Sequence, residues 1–191
     1  HYIANTDWID FFSKEAGDAY WTSYRKNILP TGIDAWWQDA TEPENDDLTN
    51  RMVDKGRLSG NAVRNVFPFA VNDVVYNGLL KERPNERPMI MTRSASPGIQ
   101  RFGVLTWSGD VGSSWENFRK QVPICLNYTL TANPNVNTDI GGFFANAYNR
   151  SHCDNTATHN PLFQELYVRW MQFGLFCPMM RSPGTEVYRE I

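Results

Sequence analysis

Short apolar runs of strand length alternate with segments of helical period along this chain, and the runs end on or near charged residues. Trp8, Phe12, Ala16, Ala19, Tyr20, Tyr24 and Ile28 recur largely at steps of three and four, so residues 7–28 read as an amphipathic helix. "PTG" punctuates it and residues 33–38 form a strand. A polar stretch of about 20 residues, "TEPENDDLTNRMVDKGRLSGN", follows as a loop long enough to suggest function or disorder. A second helix covers residues 62–81, starting or kinking near Pro68. Strands "PMIMT" and "GVLTW" precede a helix over 114–131, for which Ser113 and Glu116 have the spacing of a capping box. Strand "NVNT", a glycine-rich loop, a helix over 161–176 and strand "CPMM" complete the chain. Such alternation implies parallel crossovers and an α/β architecture. The 191 residues fall short of the roughly 250 that a closed eight-stranded barrel typically needs. The chain is therefore an open sheet or a piece of a barrel.

Composition narrows the chemistry by exclusion. A net charge of −3 with no basic block leaves no electrostatic footprint for nucleic acid or an anionic membrane. No stretch approaches the roughly 18 apolar residues that would span a bilayer. Nothing at the N-terminus reads as a signal peptide, although the chain starts at His1 rather than Met. Cys125, Cys153 and Cys177 are widely spaced without a CxxC, which argues against a disulfide framework or zinc ribbon. Cys125 and Cys177 lie in apolar runs as small core residues, and "HCDNTATH" reads as a polar loop. Phosphate-loop, dinucleotide, GxSxG and HExxH motifs are absent. Seven Trp, eight Tyr and eleven Phe suit either aromatic cores or ring faces against sugar C–H bonds.

Position along the strands is more informative. Asp39 ends the first strand, Arg93 follows "MIMT", and Asp110 lies three residues beyond "VLTW". Asp139 follows "NVNT" and Arg181 follows "CPMM". In parallel α/β folds the C-terminal strand ends converge on the site, so three carboxylates and two guanidiniums gather at one mouth, a set suited to acid/base work on a neutral polar substrate. Aspartates after strands also cap helices. Capping is weak for Asp39, which precedes a loop, and for Asp110, which is displaced from its helix. For Asp139 capping and function stand level. Arg93 and Arg181 serve equally well as ion-pair partners of the carboxylates.

The segments "WWQDATEPE", "MTRSASPGIQRFGVLTWSGD", "TDIGGF" and "ELYVRWMQFGLFCPMMRS" resemble, in order, the catalytic barrel of glycoside hydrolase family 31, whose members include α-glucosidases and α-xylosidases. The resemblance implies a partial (β/α)8 TIM barrel, about the fourth to eighth strands with their helices. Residues 1–191 would be the C-terminal portion of a catalytic barrel, an incomplete domain of a larger multidomain enzyme. It implies Asp39 as nucleophile and Asp110 as general acid/base in a retaining double displacement. Arg93 and Asp139 would bind sugar hydroxyls, Trp107 and Phe143 would wall the subsite, and Trp37 would join them. No metal or organic cofactor is implied. Among sugars, terminal α-linked xylose is favoured over glucose because "GIDAWWQDATEPE" is closest to α-xylosidase segments.

Two departures stand out. Family members carry "RSHG" after the last strand where this chain has "RSPG", so Pro183 supplies no side-chain donor to a substrate hydroxyl. The resemblance also implies that the first three barrel strands lie outside these residues, and an open barrel would expose strand edges that invite pairing. The expected partners are an oligosaccharide substrate and the missing strands of a parent chain, with self-association of the chain when made alone. An inert structural or interaction fragment lacking a complete pocket is the competing expectation. "NYT" and "NRS" match glycosylation sequons, and a periplasmic or secreted setting is favoured over a cytoplasmic one.

Overall fold

Helix α1, Lys14–Asn27, begins where Ser13 turns its hydroxyl to accept from the Ala16 N–H. The expected helix started at Asp7, which lies outside the described residues. These are 8–46 and 48–189 of a computed structural model. Residues 8–12 are not helical because the Asp10 carboxylate accepts from the N–H groups of Phe12 (3.1 Å) and Asp54 (2.8 Å), a local alternative to the helical ladder. The chain divides into two compact units, His1–Val104 and Leu105–Ile191.

In the first unit α1 lies against α3, Phe67–Glu82. Contact is close enough that a Cβ on Gly78 would meet the Trp21 ring at 2.3 Å. Pro68 sits in the first turn of α3, where its missing N–H costs nothing, as the sequence led one to expect. The polar stretch between the first strand and α3 is not all loop. It holds a two-residue hairpin of β2, Met52–Val53, and β3, Leu58–Ser59, then the short α2, Gly60–Val63. Strand β1, Ala35–Gln38, runs parallel to β4, Met89–Thr92, pairing Trp36 with Ile90 and Gln38 with Thr92. Trp36 and Ile90 bury with Val75 and Leu79 of α3 and with Ile99, Phe102 and Val104.

In the second unit β5, Leu105–Trp107, runs parallel to β6, Val136–Asn137, and α4, Trp115–Leu130, connects them. The cap of α4 is Ser114, whose hydroxyl accepts from Asn117 N–H at 3.1 Å. Ser113, the expected cap, is engaged elsewhere: its N–H donates to Phe144 O (2.8 Å) and its hydroxyl to Gly141 O (2.6 Å). Helix α5, Pro161–Gly174, is capped by Asn160 and buries Phe163, Leu166, Tyr167 and Trp170 around Ile140. The expected fifth strand, "CPMM", does not form. Pro178 has no N–H to give a ladder, and residues 175–177 instead close the helix through bonds to Met171, Phe173 and Gly174 carbonyls. The class is α/β with parallel strand pairs, as the alternation implied, with four parallel strands among the described residues rather than five.

Candidate active site

Strand pleating decides which side chains share a face. In the first unit, Gln38 donates to Asn72 of α3 (3.0 Å) and Asn72 donates to Thr92 (3.2 Å), so residues 36, 38, 90 and 92 face the helices. By the alternation of a strand, residues 37 and 91 face the other way. Arg93 N–H continues the ladder onto Gln38 O at 3.1 Å, which carries Asp39 and Arg93 onto that same second face. Their side chains meet there, Arg93 Nη1 lying 3.1 Å from Asp39 Oδ1.

Arg93 gathers more than Asp39. Its Nη2 lies 2.8 Å from Glu42 and 3.2 Å from Glu44. The guanidinium is 9% exposed against 40% for Asp39, so a nearly buried cation is ringed by partly solvated carboxylates. Burial pulls Arg93 toward losing its proton, but Glu42, Glu44 and Asp39 outweigh it and hold the group above its ordinary range. After Asp39 the chain turns through Ala40 at φ +58°, a left-handed conformation costing a non-glycine residue about 1–2 kcal/mol. The turn is pinned by the Thr41 hydroxyl, which bonds the hydroxyls of Thr92 (2.8 Å) and Ser94 (3.0 Å). No helix begins there, so Asp39 caps nothing. Trp37, 54% exposed, joins Asp39, Tyr20, Tyr24 and Phe11 in lining a cavity of about 320 Å³.

The second unit holds a separate cluster. Trp170 of α5 donates to Thr138 at 3.2 Å, so Asn137 and Asp139 face away from that helix. The register partner of Asn137 is Trp107. Arg181 completes the group, its guanidinium 4.7 Å over the Trp107 ring and 2.5 Å from Asp139 Oδ1. Asp139 is fully buried, and its Oδ2 has no protein donor. Burial pushes its carboxyl up to about 6, opposed by Arg181 and assisted by the charge of Asp110. Asp110 itself is exposed beyond β5, and α4 takes its cap from Ser114. Phe143 is half-buried, its ring edge-on to Phe144 at 5.0 Å.

Each unit thus brings its sequence-picked residues together: Asp39 with Arg93 and Trp37 in one, Trp107, Asp110 and Asp139 in the other. The sequence reading missed Glu42 and Glu44 as partners of Arg93. The signal was present in "DATEPE", but only the Ala40 turn folds those acids back. Arg181 was read as a possible counter-ion, and its stacking on Trp107 was not. Among the described residues no group of three or more His, Cys, Asp or Glu could hold a metal ion, and no helix is long and apolar enough to cross a membrane.

Comparison with known proteins places the chain in a family. Residues 2–191 match the model of the glycosyl hydrolases family 31 TIM-barrel domain. An alpha-xylosidase of Saccharolobus solfataricus is 35% identical over 195 residues, covering 98% of this chain and 25% of that protein. An uncharacterized family 31 glucosidase of Pseudescherichia vulneris is 36% identical over 191 residues, covering 99% of this chain and 33% of that protein. The crystal structure of a GH31 alpha-xylosidase from a soil metagenome, complexed with xylose, matches with a TM-score of 0.82 at 31% identity, over 99% of this chain and 28% of that one. The chain therefore spans about a quarter to a third of the length of the curated relatives it matches. It belongs to glycoside hydrolase family 31 and is part of that family's TIM-barrel domain.

Proposed function

We propose that this chain carries the catalytic carboxylates of a retaining α-glycosidase that releases terminal α-linked xylose, in preference to glucose, from oligosaccharides. The observation that carries the reading is the Arg93–Asp39 pair, held at 3.1 Å on the strand face turned away from the helices. A guanidinium with one side against Asp39 and the other against Glu42 and Glu44 fixes the carboxylate's position before substrate arrives, which is what an attacking group requires. Asp39 attacks the anomeric carbon while Asp110 protonates the departing oxygen. Asp110 then takes a proton from water, which displaces Asp39 from the glycosyl intermediate. The chemistry needs the two carboxyl groups about 5–5.5 Å apart in the complete barrel. Asp139 Oδ2, buried without a protein donor, accepts a sugar hydroxyl, and Trp107 with Trp37 supplies ring faces for the sugar's C–H side.

The lean to xylose is supported by α-xylosidases among the similar proteins. The glucosidase of similar identity makes glucose the competitor. Selectivity turns on whether the assembled pocket leaves room for the hydroxymethyl group that only glucose carries. The test is made on the longer enzyme with aryl α-xyloside and α-glucoside. Asp39→Ala should lower kcat by roughly 10⁴-fold or more, and a fluorinated glycosyl inhibitor should add its mass to the peptide containing Asp39. Labelling of another carboxylate overturns the assignment. A higher kcat/KM on the glucoside overturns the preference alone. No turnover from the longer enzyme on either substrate favours the inert reading.

A further inference from the structure

Asp110 belongs to no helix or strand: β5 ends at Trp107 and α4 begins at Trp115. Gly109 beside it turns at φ +84°, and the Asp110 side chain is exposed. The direction of its carboxyl therefore depends in large part on what ties down the connection around it. Just beyond Asp110 the tie is the Val111 carbonyl, which accepts from Phe143 N–H at 2.7 Å and from Phe144 N–H at 3.2 Å. Both donors follow Gly141 and Gly142, which stand at φ +83° and +81°, so their loop has little stiffness of its own.

Arg189 supplies what the loop lacks. Its Nη2 donates to Gly142 O at 2.6 Å and to Phe143 O at 3.0 Å. In a trans peptide the C=O and N–H of one unit point in opposite directions. The Gly142 carbonyl shares its unit with Phe143 N–H, and the Phe143 carbonyl shares its unit with Phe144 N–H. The guanidinium thus holds the carbonyl ends of the same two units whose amide ends hold Val111. A cation on the carbonyls also polarises those amides into stronger donors. The group is partly buried, with its central carbon 5.6 Å over the Phe163 ring, which limits its swing.

We propose, resting on the reading of Asp110 as the acid/base group, that Arg189 is a positioning residue that aims Asp110 through these two peptide units and the Val111 carbonyl. Arg189 then governs proton delivery to the departing oxygen and leaves the attack by Asp39 alone. Its loss is felt most where the leaving group needs a proton.

The test uses the parent enzyme and two substrates of one sugar. The α-glycosyl fluoride loses its leaving group with little protonation, whereas the methyl α-glycoside needs an acid. Asp110→Ala sets the scale, raising the fluoride-to-methyl ratio of kcat/KM by roughly 10²-fold or more. Arg189→Met should raise the same ratio by about tenfold, and Arg189→Lys, which keeps a charged donor, by less. Gly184→Ala is an independent route to the same loss. A Cβ there would lie 1.7 Å from Arg189 Nη2 and push the guanidinium off both carbonyls, so the ratio should rise again. A merely structural loss lowers both substrates alike. An unchanged ratio in Arg189→Met and Gly184→Ala, with Asp110→Ala still shifting it, overturns the role of Arg189 alone. If Asp110→Ala leaves the ratio unchanged, the acid/base reading falls and the role of Arg189 falls with it.

Discussion

Asp139 has no solvent exposure and only one of its two oxygens is paired. Burial raises its carboxyl to about 6 even with Arg181 beside it, and the nearby charge of Asp110 adds to the rise. An ordinary aspartate, near 3.9 in an unfolded chain, loses its proton earlier. Below about pH 4 both states are protonated and the buried carboxyl contributes fully to stability. As pH climbs from about 4 to about 6 the unfolded chain sheds the proton first, so the contribution falls, and it levels off above the folded value. The swing is on the order of 1–3 kcal/mol. Asp139→Asn abolishes this titration, so the difference in unfolding free energy between pH 4 and pH 7 should become more favourable to pH 7 by that amount. Urea unfolding of both proteins at four pH values reads it directly. If the native protein gains stability over that window relative to the variant, Arg181 governs the carboxyl and burial does not.

At the scale of elements, local signals were read well and long-range ones were not. Pro68 was read as a start or a kink within residues 62–81, and it lies in the first turn of α3, where its missing N–H costs nothing. The strands β1, β4, β5 and β6 appeared at the expected places, each shorter than its apolar run. The cap of α4 was misplaced by one residue because Ser113 and Ser114 both look like caps. What separated them is the distant loop at Gly141 and Phe144, which claims Ser113. The same logic covers the candidate site: the strand-end positions of Asp39, Asp110 and Asp139 could be read from sequence, whereas the Glu42 and Glu44 contacts depend on a left-handed Ala40 that no sequence pattern marks. The Gly142 loop offers a measurable contrast. Gly142 has φ +81°, and an added Cβ would lie 2.7 Å from the Ser113 backbone, so backbone must shift. Gly142→Ala should cost about 3 kcal/mol, whereas Ser114→Ala, which removes one cap bond, should cost about 1 kcal/mol. Equal losses in chemical denaturation would mean that the loop does not press on Ser113.

For the molecule as a whole, the decisive surface is the side of β1 away from β4. Among the described residues β1 is an end strand of its sheet and pairs with β4. Ile33, Trp37 and Met89 are 42%, 54% and 43% exposed beside it. End strands flanked by apolar side chains recruit further strands, and this chain spans only a quarter to a third of its relatives. In a complete barrel of this family a neighbouring strand, which we place outside these 191 residues, would cover that edge and shade Trp37. The 191-residue chain expressed alone should therefore self-associate, its sedimentation coefficient rising with concentration. Trp37→Lys, placing a charge on the edge strand, should shift that rise to higher concentration. Supplying the rest of the parent chain should remove the association and shield Trp37 from an aqueous quencher. A monodisperse monomer at about 100 μM, well above typical dissociation constants for edge pairing, would mean that the edge is already covered within these residues. In that event β1 would not be where the rest of a barrel joins.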